Sequence, residues 1–290
     1  MSLAVVAGLA LLVIGALVGL PRWREHRRRA WAGRPFPPDW RAILRRRVPL
    51  YRRLPVPLQE RLRRHVQVFL AEKQIVGCAG LEVTDEMRVT VAAHAALLYL
   101  HRPGPLYPDL HRVLIYPSAF VVDRVHPQPG GVLREERQVL SGESWSRGQV
   151  ILSWPDVREG ARVVDDGHNV ALHEFAHQLD QETGTANGAP RMAGTALRGR
   201  WAEVMSAEFA AFKLRLQQQA WAHARGAPEE AGPQELINAY GATAPAEFFA
   251  VVTEVFFEQA GELALRHPTL FVVVRDFYGV DPRDWADDAG

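Results

Sequence analysis

The most informative stretch of this 290-residue chain is Leu172-His173-Glu174-Phe175-Ala176-His177-Gln178-Leu179-Asp180. Four residues make about one turn of an α-helix, so His173 and His177 project from the same face. Two imidazoles on adjacent turns can bind one zinc ion, and Glu174 can reach a water molecule on that ion as general base. The pattern therefore predicts a helix that carries a metal site with a catalytic carboxylate.

The residues around this stretch favour a helix. Asp166 or Asn169 could cap its beginning. Gly184 and Gly188 lie beyond its expected end. The motif alone is short, and an ordinary surface helix that happens to carry two histidines is the competing interpretation. A third ligand is therefore needed.

Glu247 is the best candidate for that ligand. It lies in a segment, residues 245–254, with the pattern of a mostly buried helix. A carboxylate among phenylalanines and valines is costly to bury unless it meets a cation or strong donors. Glu254, on the same face two turns further on, is a candidate to orient a ligand histidine; the alternative is a solvated or capping acid. Glu258 is expected at the surface.

Bulk composition narrows the classes of function. The net charge is +1, so direct nucleic-acid binding is not expected. Cys78 is the single cysteine, which excludes an internal disulfide and a cysteine-rich metal site. Any metal must rely on His, Asp and Glu, and the chain has eleven histidines. Two of them, His94 and His101, are expected to be packed or surface residues rather than ligands.

The amino terminus has the pattern of a membrane anchor. Residues 3–20 carry neither a charge nor a polar side chain and would span roughly 27 Å as a helix, close to the hydrocarbon thickness of a bilayer. Pro21 is expected to close this run. The basic residues follow the run, which favours a single pass through the inner (cytoplasmic) membrane with the rest of the chain on the cytoplasmic side. A signal peptide, a tail that docks on the domain, and a cytoplasmic protein are the alternatives.

The remaining pattern predicts an α+β domain. We expect a transmembrane anchor at residues 1–21, a basic, Pro/Arg-rich juxtamembrane linker at 22–55 and a peptidase domain at 56–290. A helix is predicted over residues 56–73, and another from its N-cap Thr84 to about Leu100. Short β-rich runs lie between residues 113 and 154, and the pattern is helical from there to the end. A small sheet with mostly helices follows from this order.

A family resemblance rests on motifs that occur in order from about residue 35 to about residue 285. They are residues 140–145, 150–154, 172–180, Ala239-Tyr240, 245–251, Phe277-Tyr278 and Asp281-Pro282. Together they resemble the Mlc titration factor (MtfA) family of zinc metallopeptidases, also called DgsA anti-repressors. The catalytic core of that family is similar to that of anthrax lethal factor.

The resemblance implies a zincin-like site of the gluzincin type. One zinc ion (Zn2+) would be bound by His173, His177 and Glu247, with Glu174 as catalytic base. Tyr240 would donate its hydroxyl to the developing oxyanion. The resemblance also implies a peptide or protein substrate, favours aminopeptidase action on small or apolar residues, and suggests a transcriptional regulator as partner. Typical members are soluble, so the apolar run 3–20 is an addition.

Two other functions compete with the peptidase. The chain could be a membrane-tethered binding protein that sequesters a regulator, with zinc only structural. It could also be a structural membrane-associated protein without metal. For the peptidase, the segment Gln149–Trp154 is expected to be the sheet edge along which an extended substrate pairs.

Overall fold

The computed structural model describes residues 3–118, 120–127, 133–140, 142–145, 148–225 and 235–285. Between residues 120 and 145 this description concerns the backbone alone. Ala119 and Ser141, which belong to two of the predicted segments, lie outside it, as do residues 286–290 at the end of the predicted domain.

The described part of the chain is mostly helical. Its helices are α1 (Leu3–Ala32), α2 (Pro38–Arg47), α3 (Pro49–Arg53), α4 (Val56–Glu72), α5 (Asp85–Leu97), α6 (Trp154–Arg162), α7 (Val170–Asp180), α8 (Thr195–Ala224), α9 (Pro245–Glu258), α10 (Ala260–Arg266) and α11 (Pro268–Tyr278). Its strands are β1 (Gln74–Gly77), β2 (Arg112–Tyr116), β3 (Phe120–Pro127), β4 (Leu133–Leu140), β5 (Gly142–Trp145) and β6 (Gln149–Ser153). Short 3₁₀ turns occur at Gln181–Thr183, Ala239–Ala242 and Pro282–Asp284. A small sheet among many helices agrees with the predicted α+β class.

Four strands form one sheet in the order β1-β2-β6-β5. Strands β1, β2 and β6 are parallel, and β5 is antiparallel to β6. Strands β3 and β4 pair with each other as a separate antiparallel ribbon. Because β6 is hydrogen-bonded on both sides, the prediction that Gln149–Trp154 is a sheet edge is wrong. The outer strand beside it is β5, and Trp154 already begins α6.

The core forms where α4, α5, α7 and α9 pack together. Helix α5 begins where predicted, because Thr84 Oγ1 accepts a hydrogen bond from the Met87 amide. Its alanine-rich interior is fully buried, which allows close packing by its neighbours. Phe69 of α4 and Phe175 of α7 meet edge to face with ring centroids 5.8 Å apart. This packing fixes the position of α7, the helix that carries the two motif histidines.

The segment expected to be a linker is largely folded. Residues 38–54 form α2 and α3 and bury Leu44, Leu50 and Tyr51 in the core. The Tyr51 hydroxyl also accepts a hydrogen bond from Arg63 Nη1 at 2.9 Å. Proline-rich composition suggested a tether here, but Pro38 and Pro49 occupy the first positions of α2 and α3, where the missing N–H costs little.

The amino-terminal helix also differs from the prediction. Helix α1 continues through Pro21 to Ala32 instead of ending at the proline. Arg28 then pairs with Glu72 of α4 at 2.6 Å, which attaches the end of α1 to the domain. None of the helices in the described part of the chain combines the length and the apolar character that a membrane span requires. Many side chains of residues 3–20 lie outside the described part.

Candidate metal centre

Helix α7 is positioned by its N-cap. Of the two predicted caps, Asn169 is the one used, because its Oδ1 accepts from the Leu172 amide at 3.1 Å. Asp166 instead accepts from the His168 amide. Leu172, Phe175 and Leu179 are fully buried on the core side of α7. The two motif histidines therefore leave the helix on one face, with ring centroids 4.8 Å apart.

Three side chains converge at one point above that face. Nε2 of His173 lies 3.1 Å from Nε2 of His177. Oε2 of Glu247, from the first turn of α9, lies 3.0 Å from the first of these atoms and 3.1 Å from the second. His173, His177 and Glu247 are the group that could hold a metal ion among the residues described. The structure thus brings together the three predicted ligands from two helices.

The chemistry of the three donors fits zinc. Zinc bonds to nitrogen and oxygen are about 2.0–2.2 Å, so ligand atoms around a tetrahedral ion lie about 3.3–3.5 Å apart. The observed separations are only a few tenths of an ångström shorter. Nδ1 of His173 faces a carboxylate oxygen and therefore carries its proton on that side, which leaves a lone pair on Nε2. Two imidazoles and a carboxylate in this arrangement are a common ligand set for a catalytic zinc ion.

Glu254 orients one ligand, as the sequence suggested. Its Oε1 lies 2.7 Å from Nδ1 of His173. Its Oε2 accepts a hydrogen bond from the backbone amide of Asn169 at 2.5 Å. One buried carboxylate therefore fixes both the imidazole and the start of the helix that carries it. Such outer contacts usually raise ligand basicity and hold ring orientation.

The electrostatics of the cluster favour bound positive charge. Burial opposes ionisation of Glu247, but the hydrogen bonds from His173 and His177 outweigh it and hold its pKa well below the usual range. Burial also opposes protonation of His173, yet Glu247, Glu254 and Glu174 together raise its pKa well above the ordinary value. The carboxylates around His173 therefore give the site a negative potential, which a divalent cation would satisfy.

Glu174 is the predicted general base, and that role stays a prediction. It follows His173 on α7, is only 4% exposed, and its charge is felt by the His173 ring.

Tyr240 lies at the rim of the cluster. It belongs to the 3₁₀ turn Ala239–Ala242, which Asn238 caps by accepting from the Tyr240 amide at 2.8 Å. Its ring centroid is 5.9 Å from that of His173, and the residue is 44% exposed. The structure thus places the phenol beside a ligand histidine. Its predicted role at the oxyanion stays a prediction.

Asp180 is a structural residue that the sequence did not single out. Its side chain is fully buried at the end of α7, and its Oδ2 accepts from the Gly188 amide at 2.6 Å. Gly188 has a φ of +76°, and a Cβ there would lie 2.5 Å from the Pro245 carbonyl oxygen at the start of α9. This contact sets the distance between the helices that carry the ligands. The only sequence signal was an acid on the apolar face of the predicted helix.

Glu258 is buried, so the expectation that it lies at the surface is wrong. Its Oε1 accepts from Asn169 Nδ2 at 3.0 Å, and burial raises its pKa to about 8. Glu254 and Glu258, one helical turn apart, both bind the residue that caps α7. Neither His94 nor His101 belongs to the metal-binding group of the described residues. His94 is buried in α5 with Nδ1 at 2.8 Å from the Thr90 carbonyl oxygen, and His101 contacts Arg61.

Comparison with known proteins agrees with this geometry. An uncharacterised protein of Synechocystis is 38% identical over 280 residues, which cover 96% of this chain and 97% of that protein. Mlc titration factor A of Cronobacter sakazakii is 33% identical over 270 residues, 90% of this chain and 91% of that protein. Mlc titration factor A of Escherichia fergusonii is 32% identical over 255 residues, 84% and 87% of the two chains. The predicted family resemblance is therefore confirmed.

A family model described as glucose-regulated metallo-peptidase M90 matches residues 21–279. The match includes both helices that carry the converging donors. The protein accordingly belongs to the glucose-regulated metallo-peptidase M90 family.

Proposed function

We propose that this protein is a zinc-dependent peptidase that hydrolyses peptide bonds with Glu174 as general base. The observation that supports this most is the convergence of His173, His177 and Glu247 within 3.0–3.1 Å beside a buried carboxylate on the same helix. Zinc held there would act as a Lewis acid and lower the pKa of a water molecule.

The remaining chemistry falls to the side chains of this chain. Glu174 accepts the proton of the attacking water and later delivers it to the leaving amine. Tyr240, at the rim beside His173, donates its hydroxyl to the oxyanion that develops on the substrate carbonyl. Glu254 keeps His173 in the tautomer that leaves Nε2 free of a proton.

The proposed substrate path runs along β5. This strand is the outer member of the four-stranded sheet and lies against α7. An extended peptide that pairs with its outer edge would pass beside the motif helix. Aminopeptidase action on small or apolar residues is the finer proposal and rests on family resemblance. Matched peptides with free and acetylated amino termini test it, because an aminopeptidase cleaves only the free one.

The test of the peptidase is peptide turnover by the Glu174→Gln variant together with its zinc content. The amide cannot accept a proton, so turnover should fall at least about 100-fold while one zinc per chain is retained. Glu262→Gln, at an exposed position of α10, is the matched control and should keep full activity. Zinc-loaded Glu174→Gln that turns over at the wild-type rate would refute the proposal.

A second candidate is the binding of a transcriptional regulator, with zinc only structural. The names of two relatives, both Mlc titration factor A, favour it. The same variant separates the two functions. A regulator-binding protein keeps its cellular effect when Glu174 is replaced by Gln, whereas a peptidase loses it.

For location, we propose that residues 3–20 attach the protein to a membrane, with the peptidase domain on the cytoplasmic side. Leu12 and Leu17 of α1 are 73% and 69% exposed, and a cluster of arginines follows the apolar run. Replacing both leucines with Asp should move the full chain from the membrane fraction to the soluble fraction. An unchanged distribution would contradict this location.

A further inference from the structure

A basic cleft of about 380 Å³ lies where α2, α5 and α6 meet, separate from the three metal-binding side chains. The side chains that matter for the argument are Arg46, Arg47, Thr90, Trp154, Arg158 and Arg162. Its size is in the range usual for small-molecule sites. None of its lining residues takes part in the proposed hydrolysis.

Four guanidinium groups line the cleft, and two carboxylates offset part of their charge. Glu86 pairs with Arg46 and Arg47, each at 3.0 Å, and so holds these two side chains next to each other. Glu159 forms a two-point contact with Arg162 at 3.1 and 2.5 Å. Each guanidinium has five N–H donors, so donors remain on every arginine after these contacts. The cleft therefore keeps an excess of positive charge.

Thr90 supplies an observation that is independent of charge. The residue is 1% exposed, and its Oγ1 has no hydrogen-bond partner among the described residues. Buried hydroxyls are nearly always hydrogen-bonded, because leaving one without a partner costs free energy. Thr90 lines the cleft, and a ligand oxygen that comes into contact with its hydroxyl would supply the missing partner.

Trp154 makes the cleft more than an ion site. It is half-buried at the first position of α6 and presents an aromatic surface beside the arginines. A simple inorganic ion would leave this surface uncovered. The size of the cleft likewise exceeds what one phosphate fills. The ligand class that fits is an anion joined to an organic group.

We propose that this cleft binds a small molecule that carries a phosphate group. Planar guanidinium groups match the geometry of phosphate oxygens in two-point contacts. The phosphate would lie among the arginines and accept a hydrogen bond from Thr90, and the organic part would cover Trp154. A phospholipid headgroup offers the same chemistry as a soluble phosphate ester.

The test is calorimetric titration of the zinc-loaded full chain with inorganic phosphate and with phenyl phosphate, at constant ionic strength set by chloride. Saturable binding is expected, tighter for phenyl phosphate. Arg158→Glu should weaken it at least about tenfold, and Thr90→Val about threefold. The matched control is Arg198→Glu, which makes the same charge change on the exposed face of α8 and should stay within about twofold of wild type. Circular dichroism and zinc content establish that each variant is folded.

Vesicles of phosphatidylcholine with and without phosphatidic acid identify the source of the phosphate. If wild type binds phosphatidic acid vesicles but not free phosphate, and Arg158→Glu no longer binds the vesicles, the ligand of this cleft is a lipid headgroup. Phosphate binding that is equal in wild type, Arg158→Glu and Thr90→Val would place the anion elsewhere, for example at the metal, and would overturn the proposal. Absence of binding to both phosphate esters and vesicles would overturn it as well.

Discussion

The clearest consequence of the structure concerns Glu254, which touches no substrate and binds no metal in the proposed site. Replacing it with Gln keeps the size and shape of the side chain. The change removes the negative charge that faces Nδ1 of His173 at 2.7 Å. It also leaves a single acceptor oxygen for two N–H donors, the His173 ring and the backbone amide of Asn169, which Oε2 of Glu254 now accepts from. One of the two contacts must therefore be lost.

The magnitude follows from these two hydrogen bonds. A hydrogen bond to a charged group contributes about 1.5–3 kcal/mol, and removing an outer partner of a ligand histidine typically weakens metal binding about 10–100-fold. Tenfold corresponds to about 1.4 kcal/mol, so both routes give a loss of zinc affinity of about 1.4–3 kcal/mol. The predicted effect is thus large enough to measure and small enough to leave the fold intact.

The assay is competition for zinc with a chromophoric chelator at pH 7.5. Glu254→Gln should lose zinc at about 10–100-fold lower chelator concentration than wild type. Glu262→Gln, on the exposed surface of α10, should match wild type. Equal zinc affinity of Glu254→Gln and wild type would show that Glu254 does not position His173, and the tautomer argument would fail with it.

Three further predictions concern stability. Burial raises the pKa of Glu258 to about 8, so the folded state binds this proton more tightly than the unfolded state, and the free energy of unfolding falls as pH rises from about 4.5 to 8. Glu258→Gln should remove this fall, so urea titrations should show the variant gaining about 3 kcal/mol relative to wild type between pH 4 and pH 7. Burial lowers the pKa of His94 to about 4, so the free energy of unfolding falls as pH drops from 6.5 towards 4. In wild type this fall should amount to about 2 kcal/mol at pH 5, and His94→Leu should lack it. An equal fall in both proteins would exclude His94 as its source. Gly188→Ala should lower the free energy of unfolding by about 2 kcal/mol or more, because the new Cβ would lie 2.5 Å from the Pro245 carbonyl oxygen. Gly184→Ala, also at positive φ but with open space around it, should lower it only by the backbone strain of about 1 kcal/mol. Equal shifts in melting temperature would show that the contact with Pro245 does not matter.

The parts of the site that sequence could predict are those fixed by local chemistry. The spacing of His173 and His177 sets their common face. Thr84 caps α5 by a contact with the residue three positions later, and the same reasoning narrows the cap of α7 to Asp166 or Asn169. Glu247 could be singled out because an acid in a buried helix needs a cation or donors. Each of these inferences depends on a few neighbouring residues.

The parts that sequence could not predict depend on distant contacts. Strand β6 is central because β2, more than thirty residues earlier, pairs with its other side. Glu258 is buried because it meets Asn169, 89 residues away in the chain. The segment 38–54 is part of the core because its apolar side chains pack against α5 and α6. Its proline-rich composition does not reveal these contacts. Tyr240 was identified only through the family resemblance.

The most direct test of the central claim is a crystal structure of the zinc-loaded protein with anomalous diffraction recorded at the zinc absorption edge. The arrangement of His173, His177 and Glu247 predicts one anomalous peak at about 2.0–2.2 Å from Nε2 of both histidines and from a carboxylate oxygen of Glu247. A peak bound by other side chains, or no peak in protein crystallised with zinc supplied, would contradict it.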